Sequence, residues 1–309
     1  MNEFPGGHRF AFSILDDTDD STLENARPVY DCLRRLGFRT TKTVWTHDCP
    51  RGSRLFYAAD TLERPEYLAW VHELVDAGFE LASHGATMES STRAETERAI
   101  AFLEAEFGQA PRLHANHGFN RENLYWGAKR FGTPLLRWTL QRMRGADAFQ
   151  GDEEDSPYFW GDLCRDRIRY VRNFTFSGLD MTTANPQMPY RLDGTPWVDL
   201  WFSTTDAPDA DAFVRRVTRA SLERLEEQGG VCIVSTHLGK GYARDGKVRP
   251  EVESVLSWLA DRPGWFVPVS DILDHLLERG AGGRLGAGAR MALEARYLAD
   301  QLLCRLRLR

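Results

Sequence analysis

The stretch FAFSILDD, residues 10–17, decides the fold class, because it is an apolar run that ends directly in the acidic pair Asp16 and Asp17. Two further apolar runs end in a histidine in the same way: residues 79–83 before His84, and residues 231–236 before His237. A continuous apolar run indicates a strand that is buried on both faces, as in a parallel sheet. Parallel strands bring their C-terminal ends to one edge, where α/β folds place their chemistry. We therefore expect these acids and imidazoles to meet.

Strand-like and helix-like segments alternate along most of the chain. Apolar or β-branched runs predict strands at 10–15, 39–45, 79–83, 111–113, 135–138, 168–174, 197–202, 231–236 and 265–267. Helical spacing of apolar residues predicts helices at 22–37, 65–78, 91–108, 209–228, 250–259 and 269–277. Residues 151–156 and 185–194 are acidic, Pro-rich or Gly-rich and predict long substrate-facing loops. About seven or eight of these segments alternate with helices, and this order favours a distorted (β/α)7-type barrel of parallel strands.

Composition excludes some classes of function. The chain has 309 residues, 42% of them hydrophobic, which suits one large α/β domain or two small ones. Its net charge of −6 does not have the basic character of a nucleic-acid-binding protein, so we expect no nucleic-acid partner. The first residues do not resemble a secretory signal, and the five cysteines are scattered without CxxC spacing. We therefore expect reduced thiols and a cytoplasmic protein.

The C-terminal part differs from the rest. Residues 280–289 are rich in Gly and Ala and predict a linker, and residues 291–309 form a basic amphipathic pattern. These features divide the chain into a barrel domain at 1–279 and a tail at 280–309. We expect the tail helix to pack on the domain. The alternative is a helix that contacts a membrane surface or a partner protein.

The motifs resemble those of the polysaccharide deacetylase (NodB homology, carbohydrate esterase family 4) superfamily, over roughly residues 9–277. Four segments carry the resemblance: Ser13-Ile14-Leu15-Asp16-Asp17, His84-Gly85-Ala86-Thr87-Met88, His114-Ala115-Asn116-His117-Gly118 and Val234-Ser235-Thr236-His237. The resemblance implies a barrel fold and a deacetylase activity. It also implies that Asp16 is the general base, Asp17 a metal ligand and His237 the general acid. Taken alone, the acidic cluster would favour a solvated turn or a helix cap, but the strand before it and the histidines at 84 and 237 favour a site.

Met88 departs from the motif, because it stands where the family has its second ligand histidine. A thioether is a poor ligand for zinc and similar ions, so either the metal is lost or another group replaces this ligand. His117, just past the fourth strand, is our candidate, which gives the metal set Asp17, His84 and His117. His114 is the second candidate. It could instead take the place of the family's motif-three arginine and orient Asp16.

The expected cofactor is a divalent metal ion, with zinc first and cobalt, manganese or nickel as alternatives. Such an ion polarises a carbonyl and lowers the pKa of water, while a carboxylate accepts a proton and an imidazolium returns one. Polar and aromatic residues near the histidine pair and the middle strands suit a sugar ring, and the candidates for substrate binding are Asn116, Asn120, Arg121, Trp126 and Trp160.

These observations predict a metal-dependent hydrolase that removes an acyl group, acetyl above all, from an amino sugar or a sugar-containing intermediate of glycan synthesis. Its partner would be a small molecule or a glycan. Two alternatives stay open. The protein could hydrolyse a non-sugar amide on the same fold, or it could be a metal-free carbohydrate-binding pseudoenzyme that has lost the ligand at Met88.

Overall fold

The computed structural model describes residues 4–49, 59–144 and 149–307. Ten strands are present in these residues: β1 (Phe10–Asp16), β2 (Thr41–Val44), β3 (Glu80–Ser83), β4 (Leu113–His114), β5 (Tyr170–Phe176), β6 (Leu200–Asp206), β7 (Val231–Thr236), β8 (Ala243–Arg244), β9 (Lys247–Val248) and β10 (Gly264–Trp265). Strands β1 to β7 are parallel and pair in chain order, and β7 pairs with β1. The barrel is therefore closed by seven strands, which confirms the predicted fold class.

Eleven α-helices surround or cap this barrel in the described residues: α1 (Leu23–Arg35), α2 (Pro65–Asp76), α3 (Arg93–Phe107), α4 (Pro134–Arg144), α5 (Gly161–Arg167), α6 (Met181–Ala184), α7 (Ala210–Arg216), α8 (Arg219–Gln228), α9 (Pro250–Ala260), α10 (Val269–Glu278) and α11 (Ala287–Arg307). Two short 3-10 helices lie at Pro5–Gly7 and Gly127–Arg130. Several helices begin at a residue type that favours a helix N-terminus. Thr22 and Thr92 cap α1 and α3 with their side chains, and Pro65 opens α2.

Strand β1 shows how the barrel separates its two packing layers. Phe12 and Ile14 belong to the apolar cluster that includes Tyr30 of α1, whereas Ala11 and Leu15 belong to a second cluster. This alternation follows from the two-residue period of a strand. It also determines where the two acids at the end of β1 lie, since they too alternate.

The barrel is distorted between β1 and β2. The N-terminal end of β1 pairs with β10, through Phe10 opposite Gly264, while its C-terminal end pairs with β2, through Asp16 opposite Lys42. Strands β1 and β2 therefore diverge, and β10 fills the space between them at the end of the barrel away from the strand C-termini.

Two predicted elements differ from the structure. Residues 135–138, predicted as a strand, lie in α4, where Leu136 and Leu140 pack against the core four residues apart. The predicted helix at 209–228 is two helices, because the chain breaks at Val217 and Thr218 caps the second one. Leucines suit both structures, so the short apolar run in α4 did not separate them.

Helix α11 packs on the barrel, as predicted for the tail helix. Tyr297 lies against Phe174 of β5 with ring centroids 4.5 Å apart. The buried carboxylate of Glu294 accepts a hydrogen bond of 2.6 Å from the backbone N–H of Gly132. Residues 308 and 309 of the predicted helix lie outside the described residues, and the domain boundary at 280 stays a prediction. Within the described part of the chain, no helix has the length and apolar character that a membrane span requires.

Candidate metal centre

Three side chains meet at the rim formed by the C-terminal ends of the strands. Asp19 lies in the loop after β1, His84 directly follows β3, and His117 lies in the loop after β4. One ligand atom from each lies within 4.8 Å of the other two. The Nε2 atoms of His84 and His117 are each 3.5 Å from Oδ1 of Asp19. These three residues could hold one metal ion.

Neighbouring groups fix the direction of both imidazoles. Nδ1 of His84 lies 2.8 Å from the carbonyl oxygen of Ala115, so Nδ1 donates its proton there. Nδ1 of His117 lies 3.1 Å from Oδ1 of Asn120. The amide of Asn120 is itself oriented, because its Nδ2 donates to the carbonyl oxygen of Glu89 at 3.0 Å. Both rings therefore direct Nε2 toward Asp19, as metal-binding histidines direct one nitrogen toward the ion.

The donor set fits a divalent metal ion. Among the described residues, Oδ1 of Asp19 is buried and has no hydrogen-bond partner. A buried carboxylate oxygen without a partner is costly unless a cation or a donor faces it. One carboxylate and two imidazoles are ligands that zinc and related ions accept, and three protein ligands leave a position open for water or substrate.

Trp45, the residue after β2, packs against both histidines. Its ring centroid is 5.7 Å from that of His84 and 5.5 Å from that of His117. The indole is buried, so it forms an apolar wall on one side of the cluster. Such a wall excludes water and keeps the rings in place.

His237, directly after β7, completes the rim. Its Nδ1 lies 2.6 Å from the carbonyl oxygen of Pro208, and its Nε2 lies 3.2 Å from Oδ2 of Asp19. Burial disfavours the charged ring, but the carboxylates of Asp19 and Asp17 outweigh burial and raise the pKa of His237. Burial by itself would raise the pKa of Asp19. The imidazoles of His117, His237 and His84 outweigh burial and hold this pKa well below the usual range. Both side chains therefore favour their charged forms.

Asp17, expected as a metal ligand, has other partners. Its carboxylate pairs with Nη1 of Arg172 at 2.6 and 2.8 Å and lies 3.3 Å from the hydroxyl of Ser235. Because β1 and β5 are not neighbours, the Asp17–Arg172 contact crosses the barrel interior. Burial raises the pKa of Asp17, but Arg172, His84 and His237 more than offset burial and lower it. The candidate triad thus contains Asp19, whereas the sequence predicted Asp17.

Asp16, expected as the general base, is fully buried on the opposite face of β1. It accepts hydrogen bonds from the hydroxyl of Tyr30 at 2.9 Å, from Nζ of Lys42 at 3.0 Å and from the backbone N–H of Leu238 at 2.8 Å. All three donors lie inside the protein, and none of them belongs to the candidate triad. The family motif places both acids at a strand end, but alternation sends Asp16 toward α1 and Asp17 into the barrel.

His114 is not positioned as a ligand. Its Nδ1 and Nε2 each lie 3.2 Å from an internal partner, the hydroxyl of Ser83 and Oδ1 of Asn116. Burial lowers the pKa of this ring to about 3, so it is neutral at ordinary pH. Asp16 has its own partners, so His114 does not orient it either. Met88, which stands where the motif has a histidine, is buried in the loop between β3 and α3.

The predicted substrate residues divide by exposure. Asn116 and Trp160 are buried, and each uses its side chain inside the protein: Asn116 accepts from the N–H of Leu124, and the indole of Trp160 donates to the carbonyl of Glu122. Asn120 orients His117, as described. Arg121 is exposed and lies over the ring of Tyr158 at 5.5 Å, and Trp126 is half-buried with Arg130 stacked on it at 4.1 Å. Substrate contact by these last two stays a prediction.

Sequence reasoning missed Asp19 as a candidate ligand and Trp45 as the aromatic neighbour of His84 and His117. The acidic run after β1 does not cap α1, because the cap is Thr22. Asp19 lies three residues beyond the end of β1, in a turn where the alternation of a strand no longer applies, so the sequence contained no signal that separates it from Asp17. Arg172 in β5 faces the barrel from the middle of an apolar run, and this pattern marks a buried charge.

Comparison with known proteins agrees with this architecture. No family model matches the chain, and no curated protein matches it. A crystal structure assigned as a polysaccharide deacetylase from Mycobacterium smegmatis superposes with a TM-score of 0.51 and 16% identity, over 93% of this chain and 96% of that one. This chain has the fold of that structure. The peptidoglycan deacetylase PdaC from Bacillus subtilis is more distant, with a TM-score of 0.42 and 12% identity over 87% of this chain and 93% of that one.

Proposed function

We propose that this protein is a metal-dependent hydrolase that removes an acetyl group from the nitrogen of an amino sugar. The observation that carries the proposal is the cluster of Asp19, His84 and His117, with His237 beside it, at the C-terminal rim of a closed parallel barrel. The substrate class comes from the Mycobacterium smegmatis structure, which shares the fold and is assigned as a polysaccharide deacetylase. A sugar-containing intermediate of glycan synthesis would meet the same requirement.

Asp19, His84 and His117 would hold the metal. When bound, a divalent cation polarises the acyl carbonyl and makes water more acidic. The residues around it determine which water and which carbonyl can approach, because the buried indole of Trp45 closes one side of the cluster.

Asp17 is the proposed general base. Arg172 and Ser235 hold its carboxylate in one orientation, two residues before Asp19. In the reaction, Asp17 accepts a proton from the attacking water, and the water oxygen bonds to the carbonyl carbon. The C–N bond then breaks, which releases acetate and a free amine.

His237 is the proposed general acid, which protonates the leaving nitrogen. Its Nδ1 is engaged by the carbonyl of Pro208, so its Nε2 is the atom that faces the rim. An imidazole fixed in this way can deliver a proton at one place only, which is what the leaving group requires.

Metal content and hydrolysis together test the proposal. We expect purified protein to bind close to one equivalent of zinc or cobalt, and Asp19→Ala, His84→Ala and His117→Ala to lose it while remaining folded. Asp20→Asn is the matched control, because Asp20 is the next residue, faces Lys240 and has a positive φ that asparagine tolerates. Metal retained equally in all three alanine variants would overturn the proposed site.

Activity assays separate the proposed reaction from the two alternatives. Acetate release from N-acetylated amino sugars, lost in Asp17→Asn, would support the proposal. Activity on small linear or cyclic amides alone would support the non-sugar amide hydrolase. Protein that binds sugar with no metal and no turnover would support the pseudoenzyme.

A further inference from the structure

The exposed apolar side chains of this protein are concentrated on two helices. Six large hydrophobic residues are exposed in the described part of the chain, and five of them lie on α4 or α11: Trp138, Met291, Leu302, Leu303 and Leu306. The sixth, Phe119, lies two residues after His117 in the loop that follows β4. Single exposed apolar residues are ordinary, but a concentration on adjoining elements marks an interaction surface.

Helix α11 has apolar residues on two opposite faces. The inner face, which includes Leu293 and Tyr297, packs on the barrel. On the outer face, exposed apolar residues recur at helical spacing: Met291, Ala295, Ala299, Leu302 and Leu306. A helix that is packed on one side needs a polar outer face unless something covers that face. We call this stripe, together with Trp138 of α4, the outer surface.

The charge of the two helices is opposite to that of the whole protein. Helix α4 contains three arginines and no acidic residue, in a chain of net charge −6. The two acids of α11 are directed inward, where Glu294 binds Gly132 and Asp300 accepts from the N–H of Ser177 at 2.9 Å. Arg142 lies over the ring of Trp138 at 5.5 Å. Helix α4 begins directly after Gly132 and Thr133, which both bind Glu294 of α11. Arginine and tryptophan on α4, together with exposed leucines on α11, are the residue types of helices that lie in a lipid interface.

We propose that the outer surface of α4 and α11 binds an anionic membrane surface. Leucines would enter the boundary between headgroups and acyl chains, and the arginines would contact the anionic headgroups. A second copy of this chain fits less well, because a symmetric pairing of this surface would place arginines against arginines. The binding is independent of the reaction at the rim. Asp300 of α11 contacts Ser177, which directly follows β5, so this part of α11 lies at the end of the barrel that carries the candidate site.

Vesicle co-sedimentation of the full-length protein tests this inference. We expect binding to vesicles of phosphatidylcholine mixed with phosphatidylglycerol, little binding to phosphatidylcholine alone, and weaker binding at high salt, where the arginine attraction is screened. The double variant Leu302→Ser/Leu306→Ser should bind these vesicles at least about tenfold more weakly than the wild type, since it removes two inserting side chains. Both residues are exposed, so the variant should fold.

Charge reversal offers a matched comparison. Arg137→Glu/Arg142→Glu should abolish binding to the anionic vesicles, while Arg27→Glu/Arg34→Glu on α1 changes the net charge equally and should preserve binding. Equal binding by both double variants would overturn the proposal. So would wild-type protein that does not bind anionic vesicles, or one that forms a dimer which Leu302→Ser/Leu306→Ser dissociates. Activity on a soluble substrate should be unchanged in the leucine variant, so failure here leaves the proposed reaction untouched.

Discussion

Asn120 does for His117 what a backbone carbonyl does for His84: it accepts the Nδ1 proton and fixes the ring. Its side chain is held in turn by the carbonyl of Glu89 and by Glu122. We expect Asn120→Ala to weaken metal binding about 10- to 100-fold, because an imidazole without its partner loses its orientation. Metal titration of the purified variant measures this change.

The control for this variant is Asn116→Ala, in the same loop. Asn116 is equally buried, but its side chain hydrogen-bonds to His114 and Leu124 and to none of Asp19, His84 and His117. It should lose stability and keep most of its metal affinity. If the two alanine variants lose affinity equally, the Asn120–His117 hydrogen bond has no special role.

His114 makes the stability of the protein depend on pH. Burial lowers its pKa in the folded protein from 6.5 to about 3, so between these values the unfolded chain binds the extra proton. Stability from this group is complete above 6.5 and is lost as the pH falls toward 3, by up to about 1.4 kcal/mol per pH unit. We expect the advantage of the wild type over His114→Phe to shrink on acidification. Urea unfolding at several pH values measures it, and two parallel stability curves would contradict this origin.

At the scale of elements, β1, β2 and α1 are joined by a buried ion pair. Lys42 and Asp16 are both almost completely buried, 3.0 Å apart, and Nζ of Lys42 lies 5.4 to 5.9 Å from the ring centroids of Tyr30, Tyr67 and Trp70. Lys42→Met leaves the carboxylate unpaired and should cost about 3–5 kcal/mol. Asp16→Asn/Lys42→Met should cost clearly less than the sum of its single variants. Urea unfolding of all four proteins gives the coupling energy.

The exposed pair Arg27 and Glu73, 2.9 Å apart between α1 and α2, is a suitable reference cycle. Its coupling should be below about 1 kcal/mol, because water screens both charges. Equal coupling in the two cycles would show that burial of Asp16 and Lys42 contributes nothing.

Elements were predictable where the spacing of apolar residues fits only one type of secondary structure. Accordingly, α1, β3 and β7 lie within a few residues of their expected bounds. The interpretation failed where local sequence suits two structures, as in α4, where a leucine-rich run satisfies helix and strand alike. The site was predictable as a set of strand ends, and His84, His117 and His237 do meet there. That Asp19 and not Asp17 joins the two histidines was not predictable, because it depends on how far the chain continues beyond β1 before it turns.

At the scale of the whole molecule, metal binding and folding should be coupled. The donors come from loops after β1, β3 and β4, and the unfolded chain cannot hold them together. Zinc at about 100 times its dissociation constant should therefore add about 2.7 kcal/mol to the free energy of unfolding. Thermal or urea unfolding with zinc and then with a chelator measures the difference. Asp19→Asn should show no such difference, and a zinc effect that persists in this variant would place the ion elsewhere.

Strand β10 joins residues that are more than 250 positions apart, since Gly264 pairs with Phe10. A ribosome must therefore synthesise most of the polypeptide before the first strand acquires all its neighbours. Until then, the gap beside β1 exposes backbone N–H and C=O groups to other chains. The nascent chain can fill this gap only after β10 has been synthesised. A chain truncated before residue 264 should therefore aggregate and not form a smaller barrel.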